Sequence, residues 1–480
     1  MRGYRGSHTR KISTLAIRIL AAALFIAALT IPATALPRQF ATAKFVFFFI
    51  GDGMGATQRN AAETYLAGKR RENGDASERA SQLVMNSLPV SGMIKTDSLS
   101  GTTDSAAAGT ALATGKRTTN GAVGMNPSTG ERFRSIAVLA RERGMRVGIV
   151  TSSFLQDATP AVFYGHAGKR TEHYALGLQL IDSGFEYFAG GGFRNPSGKD
   201  KSRKNLESAA AEKGYRISKG AGGLSSLRAG ERAIAIHEKL SAGTMPWVID
   251  EAPGPSLADF VKKGIEMLDC EQGFFMMAEG GKIDLACHAN DAAAAVWEVI
   301  AFDEAIAAAL EFQRSRPRDT LIVVTSDHET GGMSLSVKPE DSAAFYKNIS
   351  RQRGSYAAFE RTISPKKGAT LDEYIARAEK FFGPAARRTE AINDAWRASM
   401  TSKGKRPVKS AGYKKLYGPY DPFTMACMRE MNAAAGVKWT TFYHTNQDVP
   451  VSAIGAGAEL FAGDYENTGI FDRLRMIMSL

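Results

Sequence analysis

Five short apolar runs frame this chain, at residues 44–50, 146–151, 273–278, 320–325 and 451–456. All are rich in β-branched or aromatic side chains, and each reads as a buried strand. Helical patterns separate most of them: an alanine-rich stretch at 106–114, another at 133–143, and a long one at 291–314. In the long one, Val296, Val299, Ile300, Ala307 and Leu310 recur at helical spacing. Strands alternating with helices predict an α/β fold with a doubly wound, mostly parallel central sheet and helices on both faces. Ligands of such sheets sit beyond the carboxyl ends of the strands.

Those ends carry metal-binding and nucleophilic residue types. The first strand runs into Gly51-Asp52-Gly53-Met54-Gly55, a tight turn with Asp52 at its mouth. Thr103-Asp104-Ser105-Ala106 leads into the alanine-rich helix. Ser105 is an N-cap in the ordinary reading. In the functional one it is a nucleophile, favoured as an alkoxide by the helix N-terminus and a nearby cation. Gln156-Asp157-Ala158-Thr159-Pro160 follows the next strand, and Arg170 beyond it is placed to reach an anion. After 273–278 come Glu279, Asp284 and His288; the last two, four apart, share one face of a helical turn. Cys287 points away from that face and reads as packing. Asp327 and His328 leave the strand at 320–325, and His444 precedes the last strand. A buried Asp-His pair is costly unless paired or metal-bound. Histidines among carboxylates suit zinc, and the all-oxygen set Asp52, Thr159 and Glu279 suits magnesium.

Taken in order, these segments resemble the alkaline phosphatases, over about residues 44–333 and 441–472. The resemblance implies two zinc ions, one magnesium ion and a phosphoserine intermediate on Ser105. Asp284, His288 and His444 correspond to the ligands of one zinc. Asp52, Asp327 and His328 correspond to those of the other, which Ser105 approaches. Asp52 bridges to magnesium with Thr159 and Glu279, Arg170 clamps the phosphate, and Asp157 lies near the magnesium. The expected activity is hydrolysis of small phosphate monoesters; another hydrolase of the same superfamily, such as a phosphodiesterase, is the alternative. Two positions depart from the pattern. Leu285 stands where some relatives carry Lys or His near the phosphate, and Thr330 where some carry another His.

Two regions lie outside these motifs. Residues 1–35 read as a signal peptide: a basic start, an apolar run at 19–31 and Ala33-Thr34-Ala35 as cleavage site. The run is shorter than the ~20 residues a spanning helix needs. A periplasmic or secreted protein without stable membrane insertion is therefore expected. Residues 334–440 hold 20 Lys/Arg against 10 Asp/Glu, a net +10, while the rest after residue 35 is 36 against 39, or −3. This stretch reads as an inserted basic cap or crown-like subdomain, with helices at 370–382 and 422–435, between catalytic-domain segments 36–333 and 441–480. Its two ends must lie near the zincs, because it separates His328 from His444. It has no nucleic-acid motif, so no nucleic-acid partner is expected; it caps the site or forms part of a homodimer interface. Three cysteines are too few for a disulfide framework.

Overall fold

The computed structural model describes residues 41–74, 82–362, 370–401 and 406–480. The signal-peptide reading, residues 1–35, falls outside them. The strands in chain order are β1 (Phe45–Ile50), β2 (Val90–Lys95), β3 (Arg146–Thr151), β4 (Tyr187–Gly190), β5 (Arg216–Lys219), β6 (Ala233–Ile236) and β7 (Phe274–Glu279). They continue with β8 (Thr320–Thr325), β9 (Glu329–Thr330), β10 (Ser334–Leu335), β11 (Val437–Lys438), β12 (His444–Thr445), β13 (Val449–Gly455) and β14 (Gly463–Glu466). Ten of them form one sheet in the order β14-β2-β13-β8-β1-β7-β3-β4-β6-β5. Every neighbouring pair is parallel except the two made by β13, which runs against β8 and β2.

All five expected strands are present. The Phe-Val-Phe-Phe-Phe-Ile run of β1 explains the two-sided cover. Phe45, Phe47 and Phe49 enter one core with Phe274, Met276, Ile322 and Val324. Val46, Phe48 and Ile50 enter the other with Phe275, Met277, Leu321 and Val323. Period-2 alternation sends successive side chains to opposite faces, and each large side chain so buried contributes roughly 1.5–3 kcal/mol. Helices Ala56–Glu72, Leu257–Leu268 and Ala292–Ser315 cover the first face; Ser105–Thr114, Ile136–Glu142, His173–Ser183 and Gly469–Ile477 cover the second.

Residues 334–440 form helices Ser342–Ile349, Tyr356–Thr362, Leu371–Phe382, Glu390–Met400, Ala411–Tyr417 and Pro422–Ala434. The third and last are those expected. Among its described residues, Phe345, Phe359, Tyr374, Phe423 and Val437 join the core on the first sheet face. Its ends are zipped together, with Ser334 opposite Lys438 and Leu335 opposite Val437. Just outside that zipper, Thr330 pairs with His444 and Glu329 with Thr445. The two histidine-bearing segments thus meet, as the spacing required.

Candidate metal centre

Register places the site. Ile50 is level with Glu279 and with Thr325, and Thr151 is level with Glu279. The turns after β1, β3, β7 and β8 therefore open side by side. Gly53 (φ +74°) lets the first turn lie against Asp284, where an added Cβ would come within 2.8 Å of the Asp284 Cα. The Ser326 hydroxyl, 2.6 Å from the carbonyl oxygens of both Gly51 and His328, ties that turn to the one after β8.

Asp284 and His288 share one face of the helix Lys282–His288, and His444 comes to them on β12. The imidazole Nδ1 of His288 lies 2.6 Å from the Phe442 carbonyl, and that of His444 2.8 Å from the Thr103 carbonyl. A carbonyl only accepts, so both Nδ1 atoms carry the proton and both Nε2 atoms present lone pairs. Those Nε2 atoms stand 3.1 Å apart, and 3.3 and 3.6 Å from the Asp284 carboxylate. Facing lone pairs beside a carboxylate repel unless a cation lies between them.

The second group surrounds His328, which is fully buried. Its Nε2 lies 3.3 Å from Ser105 Oγ, 3.4 Å from Asp327 Oδ2 and 3.6 Å from Asp52 Oδ1. Thr330 Oγ1 donates to Asp284 Oδ1 at 2.6 Å and so accepts from His328 Nδ1 at 3.2 Å, leaving His328 Nε2 bare. Thr330, a departure from the expected pattern, thus orients two of the proposed ligands. Burial pushes the His328 pKa well down, so its ring is neutral.

A third, all-oxygen group adjoins it. Thr159 Oγ1 donates to Asp52 Oδ2 at 3.3 Å, and Thr151 Oγ1 donates to Glu279 Oε2. Burial and the Asp157 charge push Glu279 up to about 8; burial and the Asp284 charge push Asp327 up to about 7. Burial, then Asp327, raises Asp52 as well. Asp52 Oδ1, Asp327 Oδ2 and Glu279 Oε1 are buried without a hydrogen-bond partner. Such orphaned oxygens are rare in a folded interior, and those of Asp52 and Asp327 lie 3.6 and 3.4 Å from His328 Nε2. The donor chemistry fits divalent metals: mixed nitrogen and oxygen in two groups, oxygen alone in the third.

Ser105 opens the helix Ser105–Thr114, but it is not the cap. Asp104 is, accepting the Ala107 amide at 3.0 Å. The Ser105 hydroxyl is thereby left facing His328 and, at 3.4 Å, Arg170 Nη1. Arg170 is held on both sides, by Asp104 at 3.2 Å and Asp157 at 3.3 Å. Burial works against its charge, but those carboxylates outweigh it and keep the guanidinium protonated. Leu285 is partly buried and packs into the core on the first sheet face. Cys287 is buried, as expected, and all three cysteines are free thiols.

Sequence reasoning gave no role to Asp104, Thr151, Ser153 or Glu329. Ser153 donates to Asp157 Oδ2 at 2.6 Å. The buried Glu329 carboxylate accepts Gly332 N, Met333 N, Gln58 Nε2 and Thr445 Oγ1, clasping β9 to β12. Glu329 was legible only as a charged residue beside the Asp-His pair; nothing in its spacing announced four donors.

A family model described as alkaline phosphatase matches residues 43–183 and 194–480, including the stretch at 334–440 for which the sequence offered no motif. Alkaline phosphatase 4 of Bacillus subtilis (strain 168) is 28% identical over 438 residues, covering 89% of this chain and 87% of that protein. Streptomycin-6-phosphate phosphatase of Streptomyces griseus is 29% identical over 357 residues, covering 63% and 76%. Among solved structures, a cold-active alkaline phosphatase from a psychrophilic Shewanella sp. has a TM-score of 0.73 at 28% identity, covering 90% of this chain and 99% of that one. Thermus thermophilus alkaline phosphatase has a TM-score of 0.77 at 26% identity, covering 93% and 94%. The largely parallel sheet and the residues gathered beyond its strand ends agree with these likenesses, and this chain is a phosphatase hydrolase belonging to the alkaline phosphatase family.

Proposed function

We propose that this protein hydrolyses phosphate monoesters through a phosphoserine intermediate on Ser105. The observation that carries the reading is the Ser105 hydroxyl, released from capping and set between His328 Nε2 and Arg170 Nη1. Asp284, His288 and His444 would hold one zinc; Asp52, Asp327 and His328 the other; Asp52, Thr159 and Glu279 a magnesium. When bound, such ions lower the pKa of a serine hydroxyl and of water and take up charge on the departing oxygen. Ser105 Oγ attacks phosphorus in line; the Oγ–P bond forms, the P–O bond to the alcohol breaks, and the alcohol leaves with a proton from solvent. Water then attacks the phosphoserine, releasing inorganic phosphate and restoring the hydroxyl. Arg170 binds two equatorial phosphate oxygens through its parallel N–H groups, and Asp104 and Asp157 keep it aimed. A fixed guanidinium beside several cations favours a dianionic monoester over a diester.

Ser105→Ala should abolish acid-stable labelled phosphoenzyme and lower turnover of an aryl phosphate by roughly 10²–10³-fold or more. Wild-type turnover in that variant would end the assignment. Elemental analysis of the purified protein should find about two zinc ions and one magnesium ion per chain, with activity lost to chelator and restored by both metals. The basic, then apolar, N-terminal sequence supports a periplasmic or secreted location. Among the described residues no helix is long and apolar enough to cross a membrane.

A further inference from the structure

The stretch at 334–440 contributes most of the wall of a cavity of about 1100 Å³, whose lining is completed by Tyr443. Four of its lining residues are tyrosines: Tyr374, Tyr413, Tyr420 and Tyr443. Tyr374 and Tyr413 are buried and form a floor, Tyr420 is half-buried, and Tyr443 stands 59% exposed. The cavity is joined to the site by covalent and packed contacts. Tyr443 directly precedes His444, and the Tyr420 ring lies 6.0 Å from the ring of Phe442, whose carbonyl holds His288 Nδ1 at 2.6 Å.

The charges in the wall do not make it an anion site. Arg406 is turned inward onto Asp421 at 3.6 Å, the Thr401 carbonyl at 2.9 Å and the Ser399 carbonyl at 2.5 Å. Arg361 faces Asp250 at 3.8 Å. Of the charges that remain in the wall, Glu360 balances Lys414. A phosphate group alone would leave this volume empty, since ligand pockets of 300–1,000 Å³ enclose drug-sized molecules. What the lining offers is aromatic faces, which take up flat rings by stacking.

We propose that this cavity receives the alcohol portion of the ester and selects phosphate monoesters whose alcohol carries a flat aromatic or heteroaromatic ring. The proposal rests on the monoesterase reading above. It assigns Tyr443 and Tyr420 as the stacking residues, one beside the His444 ligand strand and one across the cavity.

Adenosine 5′-monophosphate and ribose 5-phosphate test it. Both release a primary sugar alcohol, so they differ in the ring and not in the bond broken. Wild-type kcat/KM should favour the nucleotide by roughly tenfold, the scale of one base–aromatic stack. Tyr443→Ala and Tyr420→Ala should bring that ratio towards one, while Tyr443→Phe, which keeps the ring face, should preserve it. Adenosine without phosphate should bind the wild-type holoenzyme in calorimetry, and binding to Tyr443→Ala should be weaker by a similar factor. Equal kcat/KM for the two esters in wild type, with ratios unchanged in the variants, would overturn the subsite and leave the monoesterase standing. Turnover of neither ester, nor of a simple aryl phosphate, would overturn the monoesterase reading itself.

Discussion

At the scale of single residues, the site depends on neighbours that free their partners. Asp104 takes the capping duty from Ser105, and Thr330 fixes which nitrogen of His328 is bare. Elsewhere one buried carboxyl leaves a trace in stability. Asp303 accepts the amides of Val84 and Met85 at 2.8 and 2.9 Å, pinning the turn that leads into β2. Burial nevertheless lifts its pKa to about 6; those amides and Arg59 pull it down, and Glu63 adds to the rise. The folded protein thus holds this proton more tightly than the unfolded chain. The contribution to stability is full below about pH 4 and is lost as pH rises through about 6, a swing on the order of 2–3 kcal/mol. Asp303→Asn cannot titrate. Its melting temperature relative to the metal-loaded wild type should therefore rise between pH 4 and 7, and a constant difference would contradict the assignment.

At the scale of elements, the contact between helices Ala56–Glu72 and Ser342–Ile349 depends on a glycine. A Cβ on Gly68 would lie 2.0 Å from the Ser342 carbonyl oxygen and 2.6 Å from the Tyr346 Cβ. Tyr65 and Tyr346 pack against each other with tilted rings, centroids 5.0 Å apart. Alanine in place of a helical glycine ordinarily stabilises by about 0.5–1 kcal/mol. Here the clash should reverse the sign, with Gly68→Ala costing about 1–3 kcal/mol, seen as a lower melting temperature and faster proteolysis within residues 336–436. The five expected strands were legible because their runs are apolar on both faces. β4, β5 and β6 are only four residues long, and β2 carries Ser91, Gly92 and Lys95; pairing partners rather than composition make them strands. The reversed direction of β13 was not legible, since a strand buried on both faces has the same pattern whichever way it runs. The proposed ligands were legible from their places at strand ends. The Thr151 partnership with Glu279 and the reach of Glu329 to Gln58 and Thr445 were not, because those partners lie at sequence distances that no local spacing encodes.

At the scale of the whole molecule, positive charge is concentrated in 334–440, at +10 against −3 for the rest after residue 35. Arg406 is turned inward, but Lys409 and Lys415 are exposed, and each directly follows a residue of the cavity wall, Val408 and Lys414. Reversing both to glutamate should lower kcat/KM for a phosphate monoester at about 10 mM ionic strength, with the difference from wild type closing at ~150 mM as the Debye length falls to about 8 Å. Superimposable salt profiles would show that these charges do not steer substrate. The single reversed strand has a consequence in time. β13 lies between β8 and β2, so β2, formed by residues 90–95, has no seat in the sheet until residues 449–455 are available. β14 pairs only with β2, and His444 arrives on the same late segment. A chain delivered amino-terminus first must therefore keep that sheet edge, and the site around His444, unfinished until residues 444–455 emerge. Any chain halted before about residue 455 is left with an open strand edge, a target for aggregation or degradation.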